Sequence, residues 1–553
     1  MSVERIVLAG LSGTGKSTVA RRLAELLGWD ALDTDTAIET EAGRRIPEIF
    51  ATEGEGAFRL TERQILRNQL DRSSVVIATG GGATVAEDAW TEDVLHRPGT
   101  MVVALDGEPQ TLLRRLQEQQ SLAGETIERP LLAGDDPELR LRTMQANRQE
   151  AYDRADVSIV TDTHTSDQVA STIAALLPQA VDTPLLTLRT AAATSDIYVA
   201  QGVSTRLGTI ARERFPKARR AWVITDANVG PLHSPVILTN LQEAGIVGTV
   251  ITVSSGESSK SWAVAGEVVD QVLLEGLQRN DLIIALGGGV VGDLAGFVAA
   301  IALRGVGLIQ VPTSLLAMVD SSVGGKTGIN HATGKNLIGA FYQPPIVLID
   351  PALLETLPSR ELTQSWAEMA KHAIIQPSAP DPNGTDLLRT TERNRRAASN
   401  EHGPAITHLI RRNVTLKASV VEADEREASL RAILNYGHTI GHAIEASAYR
   451  YLHGEAIAVG MRAANVIATE VGLLDIAEAA RLNAFITSLG LPDQAVFDPD
   501  RVREKMLSDK KHIAGTQTWV LPVSKGGVTL HTGVSDATID GAIAVVCADA
   551  TPI

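Results

Sequence analysis

One cysteine, Cys547, in 553 residues leaves no partner for an internal disulfide. Such sparing thiol use suits a reducing compartment. Positive charge is also short: 50 Lys and Arg stand against 66 Asp and Glu, a net charge of -16. That balance argues against nonspecific binding to nucleic acid or to an anionic membrane, although a few clustered lysines can still hold an anionic small molecule. No run reaches the roughly 18 apolar residues of a membrane span. Met1 to Asp30 lacks the basic start and cleavage site of a signal peptide. Internal repeats and low-complexity tracts are missing as well. The expectation is a soluble, multidomain, cytoplasmic protein.

What is present has the size and balance of an ordinary globular chain, 44% hydrophobic and 21% charged. At roughly 150 residues per domain, three or four domains are expected. Short β-branched runs, Ile6 to Ala9, Val75 to Ala78 and Met101 to Leu105, alternate with amphipathic stretches such as Thr18 to Leu27 and Phe58 to Leu70. This rhythm predicts an α/β layer with a buried parallel sheet. It closes with a helical pattern over Asp167 to Leu177, and Pro178 to Pro184 reads as a linker. A second α/β rhythm follows in Ala221 to Thr225, Val250 to Val253 and Asp281 to Leu286. Beyond Pro344 helical patterns dominate, notably Leu430 to Tyr449 and Glu455 to Thr469. Pro377 to Pro404 is polar and reads as an irregular surface excursion. The boundaries that result are 1–177, the linker 178–184, 185–344 and 345–553.

Gly10-Leu-Ser-Gly13-Thr-Gly15-Lys16-Ser17-Thr18 fits the P-loop pattern between a strand and a helix. Glycines let backbone amides crowd around phosphates, and the helix N-terminus adds a favourable dipole. Lys16 would reach the outer phosphates and Ser17 would ligate Mg²⁺. Asp33-Thr34-Asp35 can divide two tasks, one carboxylate toward Mg²⁺ and one accepting a hydroxyl proton. Phe58-Arg59, Glu62, Thr79-Gly80-Gly81-Gly82-Ala83, Arg129-Pro-Leu-Leu132, Arg148 and Tyr152 follow. Singly, such residues are ordinary caps and surface arginines. In this order and spacing, residues 1 to about 177 resemble shikimate kinase. The resemblance implies that Gly13, Gly15, Lys16, Ser17 and Thr18 hold ATP. It makes Asp35 the base at the shikimate 3-hydroxyl and puts Asp33 with Ser17 on the Mg²⁺ side. Arg59 and Arg148 would take the carboxylate, a good match for a guanidinium fork. Gly80, Gly81 and Gly82 would approach the ring, and Arg129 would lie on a lid over ATP, a reading that suits the polar stretch Gln117 to Glu128 just before it.

A second constellation begins at Gly287-Gly288-Gly289-Val-Val-Gly292-Asp293, directly after an apolar strand. With Asp226 and Asn228 after one strand and Glu257 and Lys260 after another, three strand ends suit a dinucleotide. Asn435-Tyr-Gly-His438-Thr-Ile-Gly-His442-Ala-Ile-Glu445 places two histidines four apart on one helical face, and His453 follows. Thr439 replaces the zincin glutamate, so a metalloprotease is excluded, and Glu368 in Trp366-Ala-Glu-Met-Ala-Lys371 can complete a His₂Glu set. Core or capping histidines are the plain alternative. Lys326 and Lys335 in glycine-rich segments, with Lys371, Lys417, Arg304 and Arg431, suggest an anionic substrate carrying phosphate or carboxylate.

From about Thr183 onward the chain resembles 3-dehydroquinate synthase. The resemblance implies Glu368, His438 and His453 as ligands of Zn²⁺ or Co²⁺, with His442 acting on the substrate. It puts Asp226, Asn228, Glu257, Lys260, Gly288, Gly289, Asp293, Thr313, Ser314 and Thr356 on NAD⁺. Lys326 and Lys335 fall where cofactor and substrate positions adjoin. Arg304, Asp320, Asn336, Lys371, Lys417, Arg431 and Asn435 fall on substrate or catalytic positions, joined by one of Lys510 and Lys511. Three departures concern loop shape: Ser429 for glycine, Ser524-Lys-Gly-Gly, and Lys371-His-Ala. The implied whole is a bifunctional shikimate-pathway enzyme with ATP, shikimate and 3-deoxy-D-arabino-heptulosonate 7-phosphate as substrates. A homodimer through the synthase region would follow. Its rivals are an NAD- and metal-dependent polyol dehydrogenase and a nucleotide-sensing P-loop module.

Overall fold

Apolar, β-branched runs build the first sheet. Its strands are Arg5–Gly10 (β1), Asp30–Asp33 (β2), Val75–Ala78 (β3), Thr100–Asp106 (β4) and Val157–Val160 (β5). They pair in the order β2-β3-β1-β4-β5, parallel throughout. Every residue of β1, β3 and β5 is buried, as a parallel sheet with both faces covered requires. The computed structural model describes residues 3–123, 136–177, 183–191, 193–399, 403–447, 450–510 and 517–548. The P-loop leads from β1 into the helix Lys16–Leu27, and Gly15 enters that helix at φ 91°, a left-handed conformation that favours glycine.

A second unit holds a seven-stranded sheet. Its strands and the hairpin beside it are, in chain order, Leu186–Arg189 (β6), Thr194–Val199 (β7), Arg220–Asp226 (β8), Val247–Val253 (β9), Leu282–Gly287 (β10), Gly307–Pro312 (β11), Lys326–His331 (β12), Gly334–Phe341 (β13) and Ile346–Ile349 (β14). The sheet order is β6-β7-β14-β11-β10-β8-β9, with only β6 antiparallel to its neighbour; β12 and β13 form a separate antiparallel pair. This is a Rossmann-like layer, and the later residues of the unit are mainly helical, with a short hairpin of Thr518–Pro522 (β15) and Val528–Thr532 (β16). Among the described residues no helix is long and apolar enough to cross a membrane.

By contacts the chain divides into 1–180 with 383–409, and 181–382 with 410–553. The stretch read as an irregular excursion is therefore neither irregular nor superficial. It contains the helix Leu387–Ala398, whose Leu387, Thr390, Thr391, Asn394 and Ala398 are buried. The buried face has helical spacing, but threonine and asparagine supply three of these five positions, so apolar periodicity did not reveal it. The expected helix Leu430 to Tyr449 is also broken. A 3₁₀ turn, Leu430–Asn435, precedes the helix His438–Ser447, and Gly437 divides them at φ 78°. That break makes His438 the first residue of its helix.

Gly454 sits where the helices Ser359–Ile375 and His453–Glu470 meet. Its amide donates to Gln364 Oε1 at 2.6 Å, and a Cβ there would overlap the Gln364 carbonyl. Backbone against backbone cannot yield cheaply. Gly454→Ala is expected to destabilise the protein by about 1–3 kcal/mol, the range for overpacking. A lowered urea midpoint would register it.

Candidate functional site

The glycines of the triplet after β3 each face one or two charged side chains. A Cβ on Gly80 would overlap Glu62 Oε1 and stand 2.7 Å from Asp35 Oδ1. One on Gly81 would lie 3.4 Å from Arg148 Nη1, and one on Gly82 would lie 2.5 Å from Arg59 Cζ. The triplet thus gathers two carboxylates and two guanidinium groups around bare backbone. Arg59 Nη1 donates to the buried Glu62 at 2.7 Å, while Arg148 and the Tyr152 hydroxyl both donate to the Gly81 carbonyl, at 2.6 and 3.0 Å. Burial pushes the Asp35 carboxyl up, the Asp33 carboxylate adds to this, and Lys16 and Arg59 oppose it. A base of raised affinity is what hydroxyl deprotonation needs. Asp33 Oδ1 accepts from the amides of Asp35 and Thr36 at 3.0 and 3.2 Å, so it caps the helix Thr34–Ala42 and keeps its second oxygen for another partner. Lys16 Nζ donates to the Gly10 and Leu11 carbonyls of its own loop.

In the second unit, several predicted cofactor residues lie at strand ends of the seven-stranded sheet. Asp226 ends β8 and its Oδ1 accepts from Asn228 N at 2.8 Å and Val229 N at 3.0 Å. Gly288 caps the helix Gly289–Ile301 without a side chain. A Cβ at Gly289 would meet Ser321 Oγ at 3.1 Å. These bare amides at a helix start suit a pyrophosphate. Lys260 Nζ donates to Asp293 at 2.6 Å and also to Asn336; Asn330 donates to Glu257 at 2.7 Å. Ser314 Oγ accepts from Ala317 N, and Thr313 is buried. Thr356 Oγ1 is 2.8 Å from His233 Nε2. Arg304 is exposed and left-handed at φ 67°.

The metal candidates converge. Glu368 is fully buried, and its Oε1 lies 3.6 Å from His438 Nε2 and 3.5 Å from His453 Nε2 with no hydrogen-bond partner. Both imidazoles are held from behind. His438 Nδ1 is 3.0 Å from the Tyr436 carbonyl and His453 Nδ1 is 3.2 Å from Glu445 Oε2. Such outer contacts fix the tautomer that presents Nε2 to a cation. Against its burial, the Glu368 and Glu445 carboxylates pull the His453 imidazole up to about 9, so the field at this point favours positive charge. His442 brings a ring nitrogen within 4.8 Å of the other two histidines but is exposed. That position leaves it open toward a substrate. The donor set and the orphaned carboxylate oxygen fit a divalent cation.

Several cations pair with acidic groups at or near this cluster. Lys371, next turn of the helix from Glu368, pairs with Glu368 and lies 3.8 Å from Asp320. Lys417 donates to Asp320 Oδ1 at 2.7 Å and also contacts its carbonyl. Glu427 links Lys326 to Asn435 Nδ2, the latter at 2.8 Å, and Lys335 is 2.8 Å from Glu445 Oε1. Arg431 is buried, donating to the carbonyls of Glu425 and Gly324. Ser429, the departure from glycine, has φ −157° and needs no left-handed backbone; its amide donates to Asp424 Oδ2 at 2.8 Å. Arg129 and Lys511 lie outside the described residues, as do residues 124–128 of the expected lid; Gln117 to Ala123 of that stretch is helical. Lys510 is the last residue of the helix Pro499–Lys510.

Some participants gave no signal of their own. His372 is buried with Nδ1 3.1 Å from Asn413 Oδ1 and Nε2 3.8 Å from Asp320. Glu427 and Glu445 act through partners over 100 residues away as well as near ones. Their contacts with charged residues of other elements identify them.

A shikimate kinase family model matches residues 12–178. Models of the 3-dehydroquinate synthase N-terminal and C-terminal regions match 250–364 and 365–512. The 3-dehydroquinate synthase of Desulforamulus reducens is 43% identical over 347 residues, which cover 62% of this chain and 94% of that protein. The chain belongs to the 3-dehydroquinate synthase family. Its first part is a shikimate kinase, so two shikimate-pathway activities share one polypeptide. The synthase of Symbiobacterium thermophilum is 44% identical over 344 residues, 61% of this chain and 94% of that one. Among solved structures, 2-epi-5-epi-valiolone synthase from Streptomyces hygroscopicus, with NAD⁺ and Zn²⁺ bound, is 28% identical with a TM-score of 0.57, covering 65% of this chain and 99% of that one.

Removing the support behind His453 tests the geometry of the candidate metal set. Glu445→Ala is expected to weaken zinc affinity by about 10–100-fold, the usual effect of losing such an outer partner. Competition with a chelating dye would measure it.

Proposed function

We propose that residues 1–177 phosphorylate the shikimate 3-hydroxyl and that residues 185–553, after a linker at 178–184, convert 3-deoxy-D-arabino-heptulosonate 7-phosphate to 3-dehydroquinate and phosphate. Within the latter, 185–344 would bind NAD⁺ and 345–553 would carry the metal and most substrate contacts. Cytoplasmic residence and a homodimer through the synthase region go with this reading.

In the kinase, Asp35 accepts the hydroxyl proton while Arg59 and Arg148 hold the carboxylate. Gly80, Gly81 and Gly82 let the ring approach the backbone. Lys16 exchanges its two loop carbonyls for the outer phosphates of ATP, and Gly13, Gly15 and Thr18 cradle them. Ser17 and Asp33 would hold Mg²⁺, and Arg129 would cover the transferring phosphoryl group.

In the synthase, the observation that carries the reading is Glu368 lodged between two imidazoles whose outer nitrogens are already engaged. Glu368, His438 and His453 would hold Zn²⁺ or Co²⁺. Asp226, Asn228, Glu257, Lys260, Gly288, Gly289, Asp293, Thr313, Ser314 and Thr356 would hold the dinucleotide. A metal held there would supply Lewis acidity toward a ring hydroxyl, and a bound NAD⁺ would supply hydride acceptance. Lys326, Lys335, Lys371, Lys417, Arg304 and Arg431 hold the anionic groups of the substrate. Asn336 and Asn435 orient it, Asp320 keeps Lys371 and Lys417 side by side, and His442 faces it from the open side. So dense a set of cations has no use in a polyol dehydrogenase.

On this reading NAD⁺ would be catalytic, with no net consumption. Purified protein with Zn²⁺ and trace NAD⁺ is expected to release many phosphates per NAD⁺ with no rise in NADH absorbance. NADH accumulating in step with turnover would overturn the synthase reading.

A pH prediction follows from Lys417. Burial lowers its pKa to about 8, and Asp320 opposes this only in part. Below pH 8 the ammonium is charged and attracts the phosphorylated substrate; above it, the neutral amine does not. KM for that substrate is expected to rise as pH increases through about 8. Lys417→Arg, which stays charged, should flatten that part of the profile.

A further inference from the structure

Residues 383–409 lie inside the stretch that matches the synthase C-terminal region, yet they cluster with the kinase. The helix Leu387–Ala398 covers β5, the edge strand of the kinase sheet. The Asn394 side chain acts there as a missing strand would. Its Oδ1 accepts from Ser158 N and its Nδ2 donates to Ser158 O, both at 2.8 Å and fully buried. A sheet edge left open is a liability, and covering it with a helix is one remedy.

The same helix reaches the loops beside the P-loop. Arg389 Nε and Arg393 Nε each donate to Asp106 Oδ2 at 2.9 Å, at the carboxyl end of β4. Arg389 also pairs with Glu108 and lies 3.9 Å from Asp162 Oδ2. Asp162 Oδ1 in turn accepts from Glu108 N at 2.8 Å, and Thr385 Oγ1 is 2.9 Å from His164 Nδ1. The strand and helix that flank the first of these loops border the phosphate cradle. A Cβ at Gly10 would overlap the Leu105 carbonyl, and one at Gly13 would stand 2.9 Å from the Leu112 carbonyl. Arg115 ties the second loop to the helix Pro109–Ala123 through the Thr161 carbonyl at 2.6 Å.

We propose that the helix Leu387–Ala398, encoded within the synthase sequence, is a working part of the kinase: Arg389 and Arg393 are positioning residues that fix the loops Asp106–Glu108 and Thr161–His164 at the nucleotide end of the site. The proposal rests on the kinase reading above. It predicts that ATP affinity, and not shikimate affinity, depends on residues that lie more than 200 positions beyond the end of the kinase sequence.

The test uses the full chain carrying Arg389→Ala with Arg393→Ala. KM for ATP is expected to rise at least about fivefold, with KM for shikimate and synthase turnover unchanged. Lys at both positions should restore part of the loss. Asn394→Ala, a milder change, should speed amide hydrogen exchange at Ser158 without touching the arginines. Shikimate-dependent ADP release by the unsubstituted chain tests the kinase reading separately, and exchange at Val157 to His164 reads the clamp whether or not turnover is seen. Unchanged exchange in these variants, unchanged KM for ATP, or a parallel rise in both Michaelis constants would overturn the proposal.

Discussion

A carboxylate sealed from water has to be met by positive charge, and the synthase half is arranged around one that is. Burying a charge is costly unless it is paired. Glu368 has no exposure, and its surroundings answer with Lys371 on one oxygen and two imidazoles on the other. Their supports follow outward: Asp320 beside Lys371, Lys417 beside Asp320, and Glu445 behind His453 with Lys335 behind it. Sign alternates from group to group, so that no member is left uncompensated. Close helix approach at Gly454 makes this chain of contacts possible, because the helix bearing Glu368 and the one opening with His453 meet there.

The kinase solves a related difficulty by other means. Burial raises both Asp35 and Glu62; the Asp33 carboxylate adds to the first shift and the Asp35 carboxylate to the second. Here Arg59 compensates Glu62 directly, and on the proposed reading it and Arg148 also serve a substrate. Three consecutive glycines give the space. Backbone without side chains brings polar carbonyls and amides to the pocket wall, where Arg148 and Tyr152 share the Gly81 carbonyl.

How much of this was legible depended on the range over which each signal acts. The P-loop lies within nine residues, and its strand and helix follow directly from it. The pair His438 and His442 was readable because four residues along a helix return to the same face. Their rings do stack edge to face at 5.0 Å. Assigning Glu368 together with His438 and His453 rested on the family resemblance, since nothing in the 69 residues between Glu368 and His438 marks the pairing. Glu427, Glu445 and His372 were harder still: a carboxylate beside a lysine of another element leaves no pattern in the chain. The helix Leu387–Ala398 was misread because its buried face is polar. Thr390, Thr391 and Asn394 are buried by hydrogen bonding rather than by apolarity, and patterning rules see only the latter.

The pairing of Asn394 with Ser158 spans 236 residues. At a synthesis rate of about 5–20 residues per second, the kinase sheet emerges from the ribosome roughly 10–50 seconds before its cover exists. During that interval the outer edge of β5 has its full complement of donors and acceptors exposed, next to other nascent chains in the same state. Fusion order therefore sets a kinetic demand on the kinase that a separately encoded enzyme would not meet: its sheet must persist half-finished, and avoid pairing with itself, until the far end of the same polypeptide arrives.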